Sequence, residues 1–416
     1  MDDQRETRPE PHPAFAGWQA EDGVLLINGT PVDQLARRLG RTPFYAYDRA
    51  RITERIAALK AALPEGVGLH YAIKANPMPA VVQHLAPLVD GCDVASADEL
   101  DLALDAGYAP GVIGFAGPGK TDDELARAVA AGILIEVESE GEARRLAALG
   151  GGAPARRPRI ALRINPDFRL KGSGMHMGGG ASQFGIDAEE APALMRAIAG
   201  MGLDFEGFHI FGGSQNLDAS AIATAEDLIA DLAIRLAADA PQPVRHLNIG
   251  GGFGIPYFPK DRPLDLSAVG AALARTEAKI RAALPHARTI IELGRYIVGE
   301  AGVYVCRVID RKVSRGQVYL VTDGGLHHHL AATGNFGQGI RRNYPLAIAT
   351  RFGHEAEETA SVVGCLCTPI DLLGDRVALP RAEVGDLVAI FQSGAYGPSA
   401  SPSRFLGHPA AKEALL

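Results

Sequence analysis

Gly91-Cys92-Asp93-Val94-Ala95-Ser96-Ala97-Asp98-Glu99, continuing through a helix-like run to Gly107, sets a pattern that the chain repeats twice. Ile113-Gly114-Phe115 leads to Thr121-Asp122-Asp123-Glu124 and Gly132, and Ile133-Leu134-Ile135-Glu136-Val137 leads to Ser139-Glu140-Gly141-Glu142 and Gly150. Each apolar run reads as a buried strand, each Ser/Thr-x-x-Glu box satisfies free N–H groups at a helix start, and each glycine marks a helix stop. These are βα units. Candidate strands of this kind fall at about 68–74, 91–95, 112–116, 133–137, 159–164, 205–210, 245–250 and 289–293. Eight strands alternating with helices over about 250 residues match the size of a (β/α)8 TIM barrel. A doubly wound open sheet is the competing α/β architecture, but it needs fewer strands and a switch point that the sequence does not show.

The flanks read differently. Past Ala301, Val303 to Val308, Val318 to Thr322, Ser361 to Gly364 and Leu387 to Phe391 are strand-like runs without intervening helices, which predicts a β domain from near residue 300. Upstream, residues 1–13 are polar and read as a disordered tail. Residues 23–29 read as a strand closed by the Asn28-Gly29 turn, and a short helix from Val32 to Leu39 stops at Gly40. Phe44–Ala46 is extended, and Asp48 caps a helix with Ile52, Ile56, Leu59 and Leu63 on one face. The expected organisation is a tail at 1–13, an N-terminal part of the β domain at 14–46, the barrel at 47–299 and the C-terminal β domain at 300–416. The strand near 24–27 is expected to join the C-terminal β domain, so that the barrel is an insertion.

Composition bounds the function. A chain of 416 residues, 47% hydrophobic, fills two cores. Its net charge of -8 and pI near 5.9, with no basic run, argue against nucleic acid or an anionic membrane as the main partner. A small ligand is the expectation. Cysteines 92, 306, 365 and 367 form no disulfide framework, which fits a reducing compartment, and with no apolar leader or spanning segment the cytoplasm is the expected location.

Within the barrel, polar groups stand at the expected C-terminal strand ends, where barrel enzymes keep their active residues. They are Lys74, Asp93, Phe115-Ala116-Gly117, Glu136 with Glu138, Arg163 with Asn165, His209, Gly250-Gly251-Gly252 and Glu292. Lys74 closes the run Val67-Gly68-Leu69-His70-Tyr71-Ala72-Ile73 before Asn76-Pro77. An ammonium there must be paired or neutralised, and a neutral amine is an imine-forming nucleophile. A lysine reaching back to solvent is the plainer reading. The glycine run after the seventh strand lets backbone N–H groups approach an anion. Lysine and glycines together point to a phosphorylated aldehyde cofactor, and Glu292 is placed to keep a pyridine nitrogen protonated, which favours loss of CO2.

These residues carry a resemblance. Tyr71-Ala72-x-Lys74-Ala75-Asn76, Asp93-Val94-Ala95-Ser96, Phe115-Ala116-Gly117-x-Gly119-Lys120, Gly250-Gly251-Gly252-Phe253-Gly254, Glu292-x-Gly294-Arg295, Gly364-x-x-Cys367-x-x-x-Asp371 and Gly394-Ala395-Tyr396-Gly397 resemble the successive motifs of the fold-type III pyridoxal-phosphate decarboxylases. Diaminopimelate and ornithine decarboxylases belong to that family. The resemblance implies an alanine-racemase-like C-terminal domain and pyridoxal 5'-phosphate as cofactor. It implies that Lys74 forms the internal aldimine, His209 stacks on the ring and Glu292 meets the ring nitrogen. Asp93 and Gly294 are carried over as further cofactor-binding positions. Ser214, Gly250, Gly251, Gly252, Arg295 and Tyr396 are implied at the phosphate. Cys367, with Asp371, is implied to reach in from the partner subunit of a homodimer, the cysteine as proton donor to the quinonoid carbon; His328 is carried over to the substrate.

The departures are informative. The family's His-x-Gly-Ser is here His209-Ile210-Phe211-Gly212-Gly213-Ser214, two residues longer, and its Cys-Glu-Ser is Cys367-Thr368-Pro369. An Arg-Pro substrate segment is replaced by Asp323-Gly324-Gly325-Leu326-His327-His328-His329 and Gly334-Asn335-Phe336-Gly337-Gln338. These segments, with Lys171-Gly172-Ser173-Gly174-Met175 and Phe391-Gln392-Ser393-Gly394, resemble the subgroup associated with exosortase A systems, and relatives sharing Cys-Thr-Pro act on aminoacyl groups tethered to a carrier protein. The expected substrate is therefore an amino acid, free or carrier-linked, but not diaminopimelate. An amino-acid racemase of the same fold and a non-enzymatic cofactor-binding protein remain as alternatives; racemases of this fold resemble the chain but place an arginine at the ring nitrogen. No metal is expected. Alternation along an extended segment leaves only His327 and His329 to share a ligand sphere, and Cys365-x-Cys367 has no second ligand pair at zinc spacing.

Overall fold

A computed structural model describes residues 12–150, 157–168, 175–176 and 179–416. The eight expected runs form strands β1 (Gly68–Ala72), β2 (Gly91–Val94), β3 (Ile113–Phe115), β4 (Leu134–Val137), β5 (Arg159–Asn165), β6 (Asp204–Ile210), β7 (His246–Gly251) and β8 (Arg288–Leu293). Each pairs in parallel with its neighbours in chain order, and β8 returns to pair with β1, so the sheet closes into a barrel. β1, β2, β3 and β4 are buried at every position, as strands must be when side chains fill one face and helices cover the other. One close approach fixes the β6–β7 pairing: a Cβ on Gly207 would stand 1.8 Å from the His246 carbonyl oxygen, at a register shift in β6.

Helix starts follow the sequence signals. Thr121 and Glu124 form a reciprocal capping box, whereas Ser96 and Ser139 cap their helices with the hydroxyl alone. The glutamates of those two boxes reach one residue further back, Glu99 accepting from Ala95 N and Glu142 from Glu138 N. Gly132 ends its helix in the left-handed conformation, while Gly150 stays right-handed.

The β domain is a mixed sheet of β9 (Gly302–Ser314), β10 (Gln317–Thr322), β11 (Leu346–Ile348), β12 (Glu358–Val363), β13 (Leu372–Leu379) and β14 (Leu387–Ile390), in the order β11-β14-β9-β10-β12-β13. Phe44–Tyr47 pairs antiparallel with the start of β9, Tyr47 opposite Gly302, and Lys412–Leu415 pairs in parallel with Phe44–Tyr47. The barrel thus lies between two strands of one sheet.

The structure refines three expectations here. Val24–Ile27 does not join that sheet; it forms a separate three-stranded sheet with Gln19–Glu21 and Thr30–Pro31. The first half of β9 already has Phe44–Tyr47 on one edge and β14 on the other, so no edge remains there, and Leu25 and Ile27 instead pack in one cluster with Phe44, Val303, Val305 and Phe391. Lys74 lies on a 3-10 turn, Ile73–Ala75, just beyond β1. Of the expected tail, residues 1–11 lie outside the described residues, but Pro13 begins a helical turn whose Phe15 meets Phe391 edge-on at 5.0 Å. Residues 171–174 also lie outside them. Among the described residues no helix is long and apolar enough to cross a membrane.

Candidate active site

The barrel closure sets β7, β8 and β1 side by side, with Gly251 opposite Glu292 and Glu292 opposite His70. At a strand spacing of about 4.8 Å, Gly251 and His70 stand about 10 Å apart with Glu292 between them, and Lys74 lies four residues beyond His70. Lys74 Nζ donates to Glu292 Oε1 at 3.2 Å. The other carboxylate oxygen stands 3.6 Å from His209 Nε2, and His209 Nδ1 meets Glu136 Oε2. Glu292, His209 and Glu136 are buried, whereas the Lys74 side chain is 45% exposed.

Charge follows from these contacts. Glu292 raises the Lys74 pKa above the ordinary lysine value, burial opposing it. With a buried carboxylate at hydrogen-bond distance, the ammonium is paired rather than neutralised. Burial pushes Glu292 up, but Lys74 and then His209 bring it below the usual carboxylate value. Burial likewise disfavours the His209 imidazolium, and Glu136 more than offsets it, so the pKa is raised. Lys74, Glu292, His209 and Glu136 are one alternating chain of charges.

Around this chain stands a supporting ring. Asp93 faces His70 Nδ1 at 3.2 Å, and burial first, tempered by His70, lifts its pKa. Glu138 accepts from Gly117 N, Gly185 N and Arg163 Nη1. Asn165 donates to Gly180 O and Asp187 Oδ1 and accepts from Gly179 N.

The glycine turn is held from outside the barrel. Gly252 O accepts from Asn216 N, and a Cβ on Gly252 would meet the Gly213 carbonyl oxygen at 2.0 Å, so the segment carrying Ser214 lies against the turn. Gly250 and Gly252 both adopt positive φ, +74° and +71°. Gly294 faces the turn just beyond β1, where a Cβ would come within 2.7 Å of the Ala75 Cβ. Arg295 Nη1 donates to Tyr257 Oη at 2.8 Å, and its guanidinium lies 4.7 Å from the Tyr396 ring centre. Tyr396 N in turn donates to Ala75 O, beside Lys74. Gln215, Tyr257, Arg295, Phe336, Arg342 and Tyr396 are among the residues lining a cavity of about 520 Å³.

The family model for the pyridoxal-binding domain of pyridoxal-dependent decarboxylases matches residues 49–299. The chain belongs to the pyridoxal-dependent decarboxylases. It is 37% identical over 401 residues to an L-glutamyl-[BtrI acyl-carrier protein] decarboxylase of Niallia circulans, covering 94% of this chain and 92% of that one. A diaminopimelate decarboxylase of Aquifex aeolicus is 33% identical over 406 residues, covering 95% and 91%. The crystal structure of diaminopimelate decarboxylase from M. jannaschii with L-lysine superposes with a TM-score of 0.87 at 25% identity, covering 97% and 93%.

This decarboxylase is a carboxy-lyase of amino-acid or aminoacyl substrates with pyridoxal phosphate as cofactor, and the racemase alternative falls. Its residues fit the cofactor: an amine and a buried carboxylate face each other across the strand ends, a positive-φ glycine turn lies two strands away, and the buried Arg295 Nε has no protein partner.

Three site candidates lie outside the barrel. Cys367 is exposed on the loop after β12. Asp371 is buried, and its carboxylate accepts from Leu326 N at 2.6 Å and Leu366 N at 2.8 Å, which orders the loop that carries Cys367. His328 is buried too, with Nδ1 at the Tyr304 hydroxyl and Nε2 at the Pro409 carbonyl, which uses both of its polar atoms within the β domain. Sequence reasoning missed Phe211, whose ring centre is 6.0 Å from Lys74 Nζ and which fills the place a Gly250 Cβ would need. The two-residue extension was its only signal. Tyr257, the partner of Arg295, carried none.

Proposed function

We propose that the enzyme removes CO2 from an amino acid held by a carrier protein rather than from a free diamino acid. The observation that carries this reading is the lining of the cavity that holds Arg295 and Tyr396: among the described residues its charged ones are Arg295 and Arg342, and none is acidic. The far ammonium of a free diamino acid needs a carboxylate there, and an acyl arm does not. Cys367-Thr368-Pro369 supports the same reading, since no glutamate follows the cysteine.

In this proposal Lys74 holds the cofactor's aldehyde carbon, Glu292 its ring nitrogen and His209 its ring face. Asp93, which holds His70 Nδ1, is a further cofactor-binding residue. Ser214, Gly250 to Gly252, Arg295 and Tyr396 hold the phosphate. When bound, pyridoxal phosphate supplies a protonated ring that takes up the electron pair left as CO2 departs. Glu292 keeps the proton at the ring nitrogen, and the Glu136–His209 contact fixes the imidazole beside it. Cys367, from the partner subunit of a homodimer, delivers a proton to the carbon that lost CO2. The cytoplasm is the proposed location.

CO2 release from carrier-linked glutamate and from free diaminopimelate at equal concentration tests the substrate class. Turnover with the carrier-linked substrate alone is expected; rapid turnover of free diaminopimelate overturns the reading. Lys74→Ala is expected to abolish the imine absorbance band of the holoenzyme. Cys367→Ala is expected to keep the band and lose turnover or misplace the proton.

A further inference from the structure

Away from the barrel, three side chains from distant parts of the sequence meet beside the loop that carries Cys367. His327 follows β10, Cys365 follows β12, and His408 precedes the last strand, Lys412–Leu415. One imidazole nitrogen of each histidine and Cys365 Sγ all lie within 4.8 Å of one another. Sγ is 3.9 Å from His408 Nδ1. His327 is fully buried, and neither of its ring nitrogens has a hydrogen-bond partner. Burying imidazole nitrogens without partners is unfavourable, and the polar side chains gathered around them are themselves metal-binding groups.

The geometry points to a single zinc ion held by His327, Cys365 and His408. Two imidazole nitrogens and one thiolate are the donor set of a borderline-soft cation. Bonds of about 2.0 Å to nitrogen and 2.3 Å to sulfur at tetrahedral angles set nitrogen and sulfur about 3.6 Å apart, close to the 3.9 Å seen. Binding releases the Cys365 thiol proton to solvent and leaves a fourth position for water. Cys365 and His408 are half-buried, so an ion reaches them from outside. His328, tilted against His327 with ring centres 3.7 Å apart, is fixed by Tyr304 and by Pro409 O, the residue next to His408. That contact holds the His327 ring in place by packing. The ion ties the turn after β10, the cysteine loop and the C-terminal segment together two residues from Cys367. This inference does not depend on the substrate reading.

Holoenzyme stripped with a chelator, dialysed against zinc sulfate, gel-filtered and assayed by elemental analysis is expected to hold about one zinc per chain. Cys365→Ser and His408→Ala are each expected to lower that at least tenfold, while Cys367→Ser leaves it unchanged. Less than half an equivalent in the parent protein, or more than half in either ligand variant, overturns the assignment. Cobalt loading of the unsubstituted protein is a second measurement that needs no stable variant. A thiolate-to-cobalt charge-transfer band, read as a difference spectrum against the stripped holoenzyme and insensitive to Cys367→Ser, supports the site, and its absence overturns it.

Discussion

Glu138 shows how a residue can matter to an active site without facing it. Its carboxylate is shared among two backbone N–H groups and Arg163, all at the strand ends, and both charged side chains are buried. Glu138→Ala leaves the Arg163 guanidinium buried and unpaired, so a loss of about 3–5 kcal/mol in unfolding free energy is expected by denaturant titration. Glu226 is the opposite case. It is buried behind the glycine turn with neither carboxylate oxygen hydrogen-bonded, and burial raises its pKa to about 8. Because the folded state holds this proton more tightly than the unfolded chain, stability is greatest below about pH 4.5 on this account and falls as pH rises through about 8. Glu226→Gln is therefore expected to flatten the slope of Tm against pH between about 5 and 8 and to raise Tm at pH 8.5, by an amount on the order of 4 kcal/mol in stability. Lys74, Glu292 and His209 were legible in the sequence because each ends a strand-like run. The charge on Lys74 was not, because it depends on a carboxylate 218 positions away that only barrel closure brings to 3.2 Å.

The barrel strands were legible as elements because burial on both faces makes each a short apolar run, and Thr121 and its counterparts marked the helix starts between them. Their pairing details were not. Nothing in the periodicity of β6 announces that Gly207 must let the His246 carbonyl pass so close. Gly207→Ala is expected to cost about 3 kcal/mol or more in stability, read as a lower denaturation midpoint with an unchanged slope, since backbone rather than a mobile side chain blocks the new methyl group. The sheet that Val24–Ile27 joins was not legible for a related reason: alternation tells which face of a strand is buried, but not which edge it finds. The histidine triplet was read as extended, yet residues 326–332 turn, so His329 goes to Ser393 Oγ while His327 meets residues from two other loops. Spacing rules find metal ligands within one element and cannot see a set assembled from three.

At the scale of the molecule, Lys74 and Cys367 belong to different parts of the architecture, the first at the mouth of the barrel and the second exposed on the β domain. If the homodimer shares its active sites as proposed, Lys74→Ala and Cys367→Ala damage complementary halves of each site. Mixing the two inactive proteins under conditions of subunit exchange is expected to restore roughly a quarter of the parent activity, since half of random dimers are mixed and each mixed dimer has one intact site. No recovery on demonstrated exchange removes the shared-site assignment. The pairing of Phe44–Tyr47 with the start of β9 bears on how this protein comes into being. The first strand leaves the ribosome about 250 residues before its partner, and at roughly 5–20 residues per second that is a delay of tens of seconds. Throughout that interval a segment buried at every position has no mate on either edge, while every barrel strand, β1 included, meets at least one neighbour soon after emerging. Nascent chains are therefore most exposed to mispairing at this seam, and it is there that a chaperone has most to protect.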